Sequence, residues 1–432
     1  MILPLFMEQL LVMLVGLADT FIISFAGESA VSGVSLVNMF NMIFIYLFTA
    51  LASGGSVIIS QYLGRSEWVS AGKSASQLLM FSTLFSIALS ILLLVNAEAM
   101  LRLLFGDVEP AVMEACRTYL RISIYSYPTL AVYNAGAAVY RSLGRTKVTM
   151  YISIISNIIN VIGNGIGVFV LHAGVAGVAY PSLIARLFSA MAITLLCFHM
   201  KKPVIYRMTW IHCWNGDLLK KILRIAIPSG IESGVFQLVK VALSSLVATF
   251  GTYQIAANGI AQSIWSLAAL AGVTMSPVFI TVIGRAMGNG DSEQTDQYFK
   301  KLLKITIWLS AMWNLLILLI TPLVLPLYAI SDQTKQLVFL LVLIHNIFNA
   351  FVFPFSGALS DGLRATGDVK YTMVVAIGST VLGRFMFSYL FGIVLHMGVI
   401  GIAFAMCLDW VIRGSLFYYR YRDGKWKSRR VI

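Results

Sequence analysis

Apolar segments long enough to cross a bilayer follow one another through the whole sequence, and this feature restricts the fold more than any other. A transmembrane helix needs about 20 mostly apolar residues, and twelve segments meet this requirement. They lie near residues 2–24, 33–58, 75–96, 118–140, 148–170, 176–199, 225–248, 257–282, 303–326, 338–359, 372–395 and 399–418. The sequence therefore predicts an all-α polytopic membrane protein with twelve transmembrane helices.

The composition excludes the main soluble classes. Only 11% of the residues are charged, against about 25% in a typical soluble protein. A net charge of +13 would suit a nucleic-acid binder, but such a protein carries its basic residues on a polar surface. Here the basic residues lie between apolar segments, so we expect the lipid bilayer as a partner and no nucleic acid. The four cysteines are scattered and predict no disulfide framework.

Lysine and arginine indicate the orientation, because cytoplasmic loops are enriched in them. If the N-terminus is cytoplasmic, the outer segments hold only Arg102, Arg117, Arg121 and Lys335. We therefore expect both termini inside, with the chain in the cell (plasma) membrane. The longest polar connection, 200–224, is the predicted linker between an N-terminal bundle, 1–199, and a C-terminal bundle with a basic tail, 225–432.

The two halves of the sequence repeat each other. Matching positions are Pro4 and Pro228, Glu8 and Glu232, and the segments LHAGVAGVA (171–179) and LHMGVIGIA (395–403), all shifted by 224. RSLGRTK (141–147) and RATGDVK (364–370) match with a shift of 223, so the register changes by one residue before this segment and changes back after it. The repeat predicts two pseudo-symmetric six-helix bundles. Because six is even, both copies cross the bilayer in the same sense, and their pseudo-twofold axis runs along the membrane normal.

Charged side chains inside these segments are the first functional candidates, since intramembrane acids usually face an interior cavity and have a function. Glu8 and Glu232 occupy equivalent places, which favours a shared architectural role over a role in ligand contact. Asp409 and Arg413 lie four residues apart and are expected to pair. Asp19 differs, because its repeat position is Leu243. An acid outside the shared architecture is a candidate to exchange H⁺ or Na⁺.

A polar stripe on the fifth segment offers partners for this acid. Ser153, Asn157, Asn160 and Asn164 have spacings that place them on one helical face. Interhelical hydrogen bonding explains such residues, and so does an oxygen-lined cavity for a hard cation. Both interpretations remain open here. The residues that we consider as substrate or cavity candidates are Glu8, Asn38, Asn41, Asn157, Glu232 and Gln262.

Together, Pro4, GLADT (16–20), GVAGVA (174–179), the basic RSLGRTK and RATGDVK turns and the duplication resemble the multidrug and toxic compound extrusion (MATE) transporters. The resemblance covers essentially the whole chain. It implies alternating-access efflux of small organic cations in exchange for inward H⁺ or Na⁺. It also implies an ion-coupling set of Asp19, Asn160, Asn164 and Ser182. Several members have Asp in place of Asn164, and the second-bundle ion site of some members does not transfer to this sequence.

We expect no enzyme activity, no catalytic residues, no cofactor, and no metal beyond a transported Na⁺. The alternative within the same superfamily is a flippase for a lipid-linked saccharide, which would need a basic cavity in the first bundle. Only Arg186 is available for that purpose. An intramembrane enzyme would need a nucleophile or a metal set at membrane depth, and no such spacing occurs in the sequence.

Overall fold

The computed structural model describes residues 1–106, 108–199, 204, 206–328, 330–429 and 431–432. The described part is helical almost throughout and contains no strand. Residues 200–203 and 205 of the predicted linker lie outside it. Contacts divide the chain into two compact units, which we call the first unit (Leu3–Ile227, with Met1) and the second unit (Pro228–Ile432, with Ile2).

Helices α1 to α8 belong to the first unit, and α9 begins in it. Their bounds are Ile2–Ser24 (α1), Glu28–Gly64 (α2), Trp68–Phe105 (α3), Pro110–Tyr125 (α4), Tyr127–Ser142 (α5), Thr146–Gly165 (α6), Ala176–His199 (α7), Met208–His212 (α8) and Gly216–Val247 (α9). The described part of the predicted linker packs against α3. There Gln77 Nε2 donates to the carbonyls of Trp210 and Cys213 at 2.6 and 2.7 Å.

The second unit contains the remaining helices. Their bounds are Thr252–Ala268 (α10), Leu270–Asn289 (α11), Ser292–Val324 (α12), Asp332–Phe351 (α13), Phe353–Ser356 (α14), Ala358–Thr366 (α15), Val369–Gly378 (α16), Phe387–Tyr389 (α17) and Gly398–Arg422 (α18). Each unit has its own buried apolar cluster, around Phe48 and Tyr127 in the first and around Leu341 and Trp410 in the second.

Eleven helices of the described chain are long and apolar enough to span a membrane, whereas the sequence predicts twelve spans. The predicted fourth span, 118–140, is broken at Ser126 into α4 and α5 of 16 residues each. Pro128 causes the break, because proline has no N–H for the carbonyl four residues earlier. That carbonyl, of Ile124, accepts instead from Ser90 Oγ at 3.2 Å. The two short helices together fill the place of one span.

The predicted eighth span, 257–282, is likewise two helices, broken at Ala269. Side chains of α12 donate to the carbonyls freed there. Trp313 Nε1 donates to Leu267 O at 2.8 Å, and Asn314 Nδ2 to Ala268 O at 3.4 Å. At both breaks, side chains of neighbouring helices therefore donate hydrogen bonds to the freed carbonyl groups.

A π-helix explains the second of the two changes of register in the sequence repeat, from a shift of 223 back to 224. A π turn holds one residue more than an α turn, and Ser379–Met386 is π-helical. The equivalent part of the first unit lies within the regular helix α6. After this change both copies continue in a matching π segment, Ile166–Val170 and Leu390–Val394. The second copy thus contains one more residue in this helix than the first copy contains in α6.

Candidate functional site

Asp19, near the C-terminal end of α1, is hydrogen-bonded to the polar face of α6. Asn164 Nδ2 donates to Asp19 Oδ1 at 2.6 Å and also lies 3.3 Å from Asn160 Oδ1. Asn160 Nδ2 then donates to Ser182 Oγ of α7 at 2.9 Å. The structure therefore brings together all four residues that the resemblance implies as the ion-coupling set, and we call them the Asp19 network.

Burial gives this network its chemical character. Asp19 is half-buried, while Asn164 is fully buried and Asn160 is 7% exposed. Asn164 Oδ1 has no hydrogen-bond partner among the described residues. A carboxylate beside an unpartnered amide oxygen is the kind of ligand set that hard cations prefer. The arrangement can hold a proton on Asp19 or a Na⁺ between these oxygens.

A cation already lies near this network. Arg186 of α7 is close enough for its charge to attract Asp19, and its Nη1 donates to Ser126 Oγ at 2.6 Å. Ser126 is the residue at the break between α4 and α5. The sequence indicated Arg186 only as a base available to the cavity of a flippase. Its place four residues after Ser182 on the same helix was the available signal of its contact with this site.

The other polar candidates of the first unit form a second chain of hydrogen bonds. Tyr127 OH donates to Asn41 Oδ1 at 2.6 Å, and Asn41 Nδ2 lies 3.5 Å from Asn38 Oδ1. Asn157 does not join the Asp19 network, and its buried Nδ2 has no partner within the described ranges. Of the asparagines in the predicted stripe on α6, only Asn160 and Asn164 therefore belong to the Asp19 network.

Glu8 has the architectural environment that the repeat favours. Its Oε1 accepts from Arg141 Nη2 at 2.7 Å and from Tyr133 OH at 3.4 Å. Its Oε2 accepts from Thr149 Oγ1 at 2.9 Å. Glu8 is 3% exposed. A buried carboxylate with both oxygens hydrogen-bonded in this way joins the helices that supply its donors.

The repeat partner of Glu8 makes the same pair. Arg364 Nη2 lies 2.6 and 2.5 Å from the two oxygens of Glu232, and Arg364 Nη1 donates to Asp361 at 3.1 Å. Arg364 corresponds to Arg141 in the repeat. The sequence predicts that both arginines lie in basic turns, but it does not predict their pairing with the glutamates.

The expected pair in the last helix is present. Arg413 Nη2 lies 3.0 and 3.1 Å from the two oxygens of Asp409, and the arginine also donates to Ser379 and Thr380 in the π-helix. Asp409 is fully buried. Gln262 lies apart from this pair, in a cavity of the second unit that also contains Leu243.

The sequence matches the family model described as MatE over residues 4–166 and again over residues 228–390. The chain belongs to the MatE family. The two matched ranges are the two copies of the repeat, so the MatE match extends over both halves of the chain.

This MatE chain is also similar to curated proteins along its whole length. It is 28% identical to the "Uncharacterized transporter YisQ" of Bacillus subtilis strain 168, covering 98% of the chain and 93% of that protein. It is 22% identical to the "Probable multidrug resistance protein NorM" of Thermotoga maritima, covering 100% and 92%. The MatE family and these relatives are transporters, and the similarity to multidrug resistance proteins does not favour the flippase alternative.

Among solved structures, the fold matches the "Outward-facing conformation of a multidrug resistance MATE family transporter of the MOP superfamily". The TM-score is 0.91 at 21% identity, covering 99% of this chain and 95% of that one. Such structures have twelve helices, which confirms the predicted all-α twelve-helix fold. This MatE protein is therefore a multi-pass membrane transporter of small molecules.

Proposed function

We propose that this protein exports small organic cations across the plasma membrane, with both termini cytoplasmic, and couples export to inward movement of H⁺ or Na⁺. The observation that supports it best is the Asp19 network. It provides one half-buried carboxylate and the unpartnered oxygen of Asn164. No other acid named above as an intramembrane candidate is free, because Glu8, Glu232 and Asp409 are paired with arginines.

In the proposed cycle, the ion binds Asp19 from outside and leaves it toward the cytoplasm, while the drug moves outward. Coupling requires that the ion bind one conformation better than the other. The hydrogen bond from Asn164 to Asp19 gives a physical basis for this difference. An ion on the carboxylate competes with the amide donor and so changes the contact between α1 and α6. Alternating access of duplicated units is the usual mechanism for such transporters.

The test is efflux of rhodamine B ethyl ester, a cationic dye, from proteoliposomes with an imposed pH or Na⁺ gradient. We expect Asp19→Asn to reduce gradient-driven efflux at least about tenfold, because the neutral amide cannot exchange a cation. Asp217→Asn, which removes an exposed acid at the start of α9, is the matched control and should behave as wild type. Gradient-driven efflux retained in Asp19→Asn would refute the coupling role. A response to only one gradient identifies the ion.

A further inference from the structure

The second unit contains a counterpart of the Asp19 network, and the repeat identifies its members. With the shift of 224, Ser182 corresponds to Met406, and Asn160 corresponds to Arg384 within the π-helix. The contact is also repeated. Arg384 Nη2 lies 3.0 Å from Met406 Sδ, as Asn160 Nδ2 lies 2.9 Å from Ser182 Oγ. The second copy therefore holds a guanidinium where the first holds an amide.

The acid is absent from this counterpart. Leu243 occupies the repeat position of Asp19, and Lys240 lies one turn earlier on α9. Leu243, Lys240 and Arg384 line one cavity of the second unit. Lys240 and Arg384 are close enough for their charges to repel each other. An anion between the two groups would attract both and so offset this repulsion.

The polar atoms of this cavity are arranged to donate. Arg384 is only 7% exposed, and its Nε has no hydrogen-bond partner within the described residues. The Nε1 of Trp265 in the same cavity is also buried without a partner there. Asn258 and Gln262 contribute amide groups, and the described lining contains no aspartate or glutamate. Buried donors without acceptors are costly unless a ligand satisfies them.

Neighbouring acids do not supply that acceptor. Asp409 attracts Arg384 electrostatically, but its two oxygens hydrogen-bond to Arg413. Glu232, one turn before Phe236 on α9, is held by Arg364. The two positive charges of the cavity are thus not directly paired with either carboxylate.

Aromatic rings complete the cavity. The guanidinium of Arg384 lies 5.1 Å from the centre of the Phe236 ring, and Trp265 stacks on Trp410 with 5.9 Å between centroids.

We propose that this cavity binds an amphipathic aromatic substrate through a carboxylate, sulfonate or phosphate placed between Lys240 and Arg384. The assignment of the ligand as a transported substrate rests on the export function proposed above. It extends the substrate class from cations to zwitterions and anions.

The test compares two dyes that share one ring system and differ at a single carboxylate. Rhodamine B carries a free carboxylate, and rhodamine B ethyl ester is the same ring system with that carboxylate blocked. Binding is measured by fluorescence anisotropy on the full-length protein in lipid nanodiscs. We expect Arg384→Met and Lys240→Met each to weaken rhodamine B binding about tenfold, as expected for the loss of one charge-assisted hydrogen bond, with less than a twofold change for the ester. Arg384→Lys should recover most of the affinity.

Lys370→Met, which removes an exposed positive charge at the start of α16, is the matched control and should bind both dyes as wild type does. Equal weakening of both dyes, or no change in either, would overturn the proposal.

Nanodiscs with and without phosphatidylglycerol distinguish the source of the anion. Displacement of rhodamine B by this lipid assigns the site to a lipid phosphate, and its absence assigns it to a soluble amphiphile. Since binding needs no gradient, failure of coupled efflux leaves this result unaffected.

Discussion

At the scale of single residues, Glu8 shows how a buried carboxylate can serve the fold alone. Its two oxygens accept from Arg141, Tyr133 and Thr149, so three hydrogen bonds join α1 to α5 and α6. The charge of Glu8 is compensated inside the unit by Arg141. Removing one partner of such a pair leaves the other buried and unpaired, which costs more than the pair itself contributes.

We therefore expect Arg141→Met to destabilise the protein by about 3–5 kcal/mol. The double variant Glu8→Gln with Arg141→Met should recover much of this loss, because no charge is left unpaired. Thermal unfolding of the detergent-solubilised protein provides the measurement. Arg102→Met, which removes an exposed pair with Glu98, is the control and should cost less than about 1 kcal/mol. A loss in Arg141→Met no larger than in this control would contradict the architectural role.

The Asp19 network was predictable as a set, and the Glu8 pair was not. The repeat singled out Asp19, the spacing alone places Asn160 and Asn164 on one face, and the family resemblance added Ser182. The pairing of Glu8 with Arg141 depends on how far α5 extends into the unit and on its rotation, which the sequence does not fix. The sequence did not predict the contact between Arg186 and Ser126 either, because that contact arises only where α4 ends.

At the scale of helices, two backbones approach closely where the π segment Ile166–Val170, which follows α6, meets the start of α7. A Cβ built on Gly167 would lie 2.1 Å from Gly177 O, so the two backbones are in contact. Small residues permit such packing between membrane helices. The contact fixes the distance between the helices that carry Asn160 and Ser182. Gly165, two residues earlier, has no neighbour within 4 Å of a built Cβ.

These two glycines form a matched pair of tests. We expect Gly167→Ala to destabilise the protein by about 1–3 kcal/mol, as overpacking does, and to lower coupled efflux by displacing Ser182 from Asn160. Gly165→Ala should be neutral or stabilising by about 0.5–1 kcal/mol, because alanine restricts the unfolded chain. Unfolding temperature and dye efflux, measured on both variants, provide the comparison. Similar behaviour of the two variants would show that the close contact does not position the site.

Helix existence was easier to predict than helix continuity. The length and apolar character of 118–140 and 257–282 indicated spans, and helices do cover both ranges. The break at Ser126 follows from Pro128, but the break at Ala269 has no proline. It depends on Trp313 and Asn314 of α12, which donate to the carbonyls freed there. A tertiary hydrogen bond of this kind has no signature in the local sequence.

At the scale of the whole molecule, the orientation in the membrane can be tested with a native residue. Cys213 is exposed, whereas Cys116, Cys197 and Cys407 are buried. We expect a membrane-impermeant maleimide to label the protein in inverted vesicles and not in intact cells, because Cys213 lies in the basic linker predicted to be cytoplasmic.

Two variants make this experiment decisive. Cys213→Ser should remove the labelling. Ala173→Cys, introduced into Cys213→Ser at an exposed position before α7, should restore it in intact cells only. Labelling of Cys213 in intact cells would reverse the predicted orientation of both termini.

The π-helix at Ser379–Met386 also bears on whether the two halves of this transporter can replace each other. The second copy carries the guanidinium of Arg384 at the repeat position of the Asn160 amide. The two halves are therefore not interchangeable. A protein built from two first halves would inherit the fold twice and lose the basic cavity altogether.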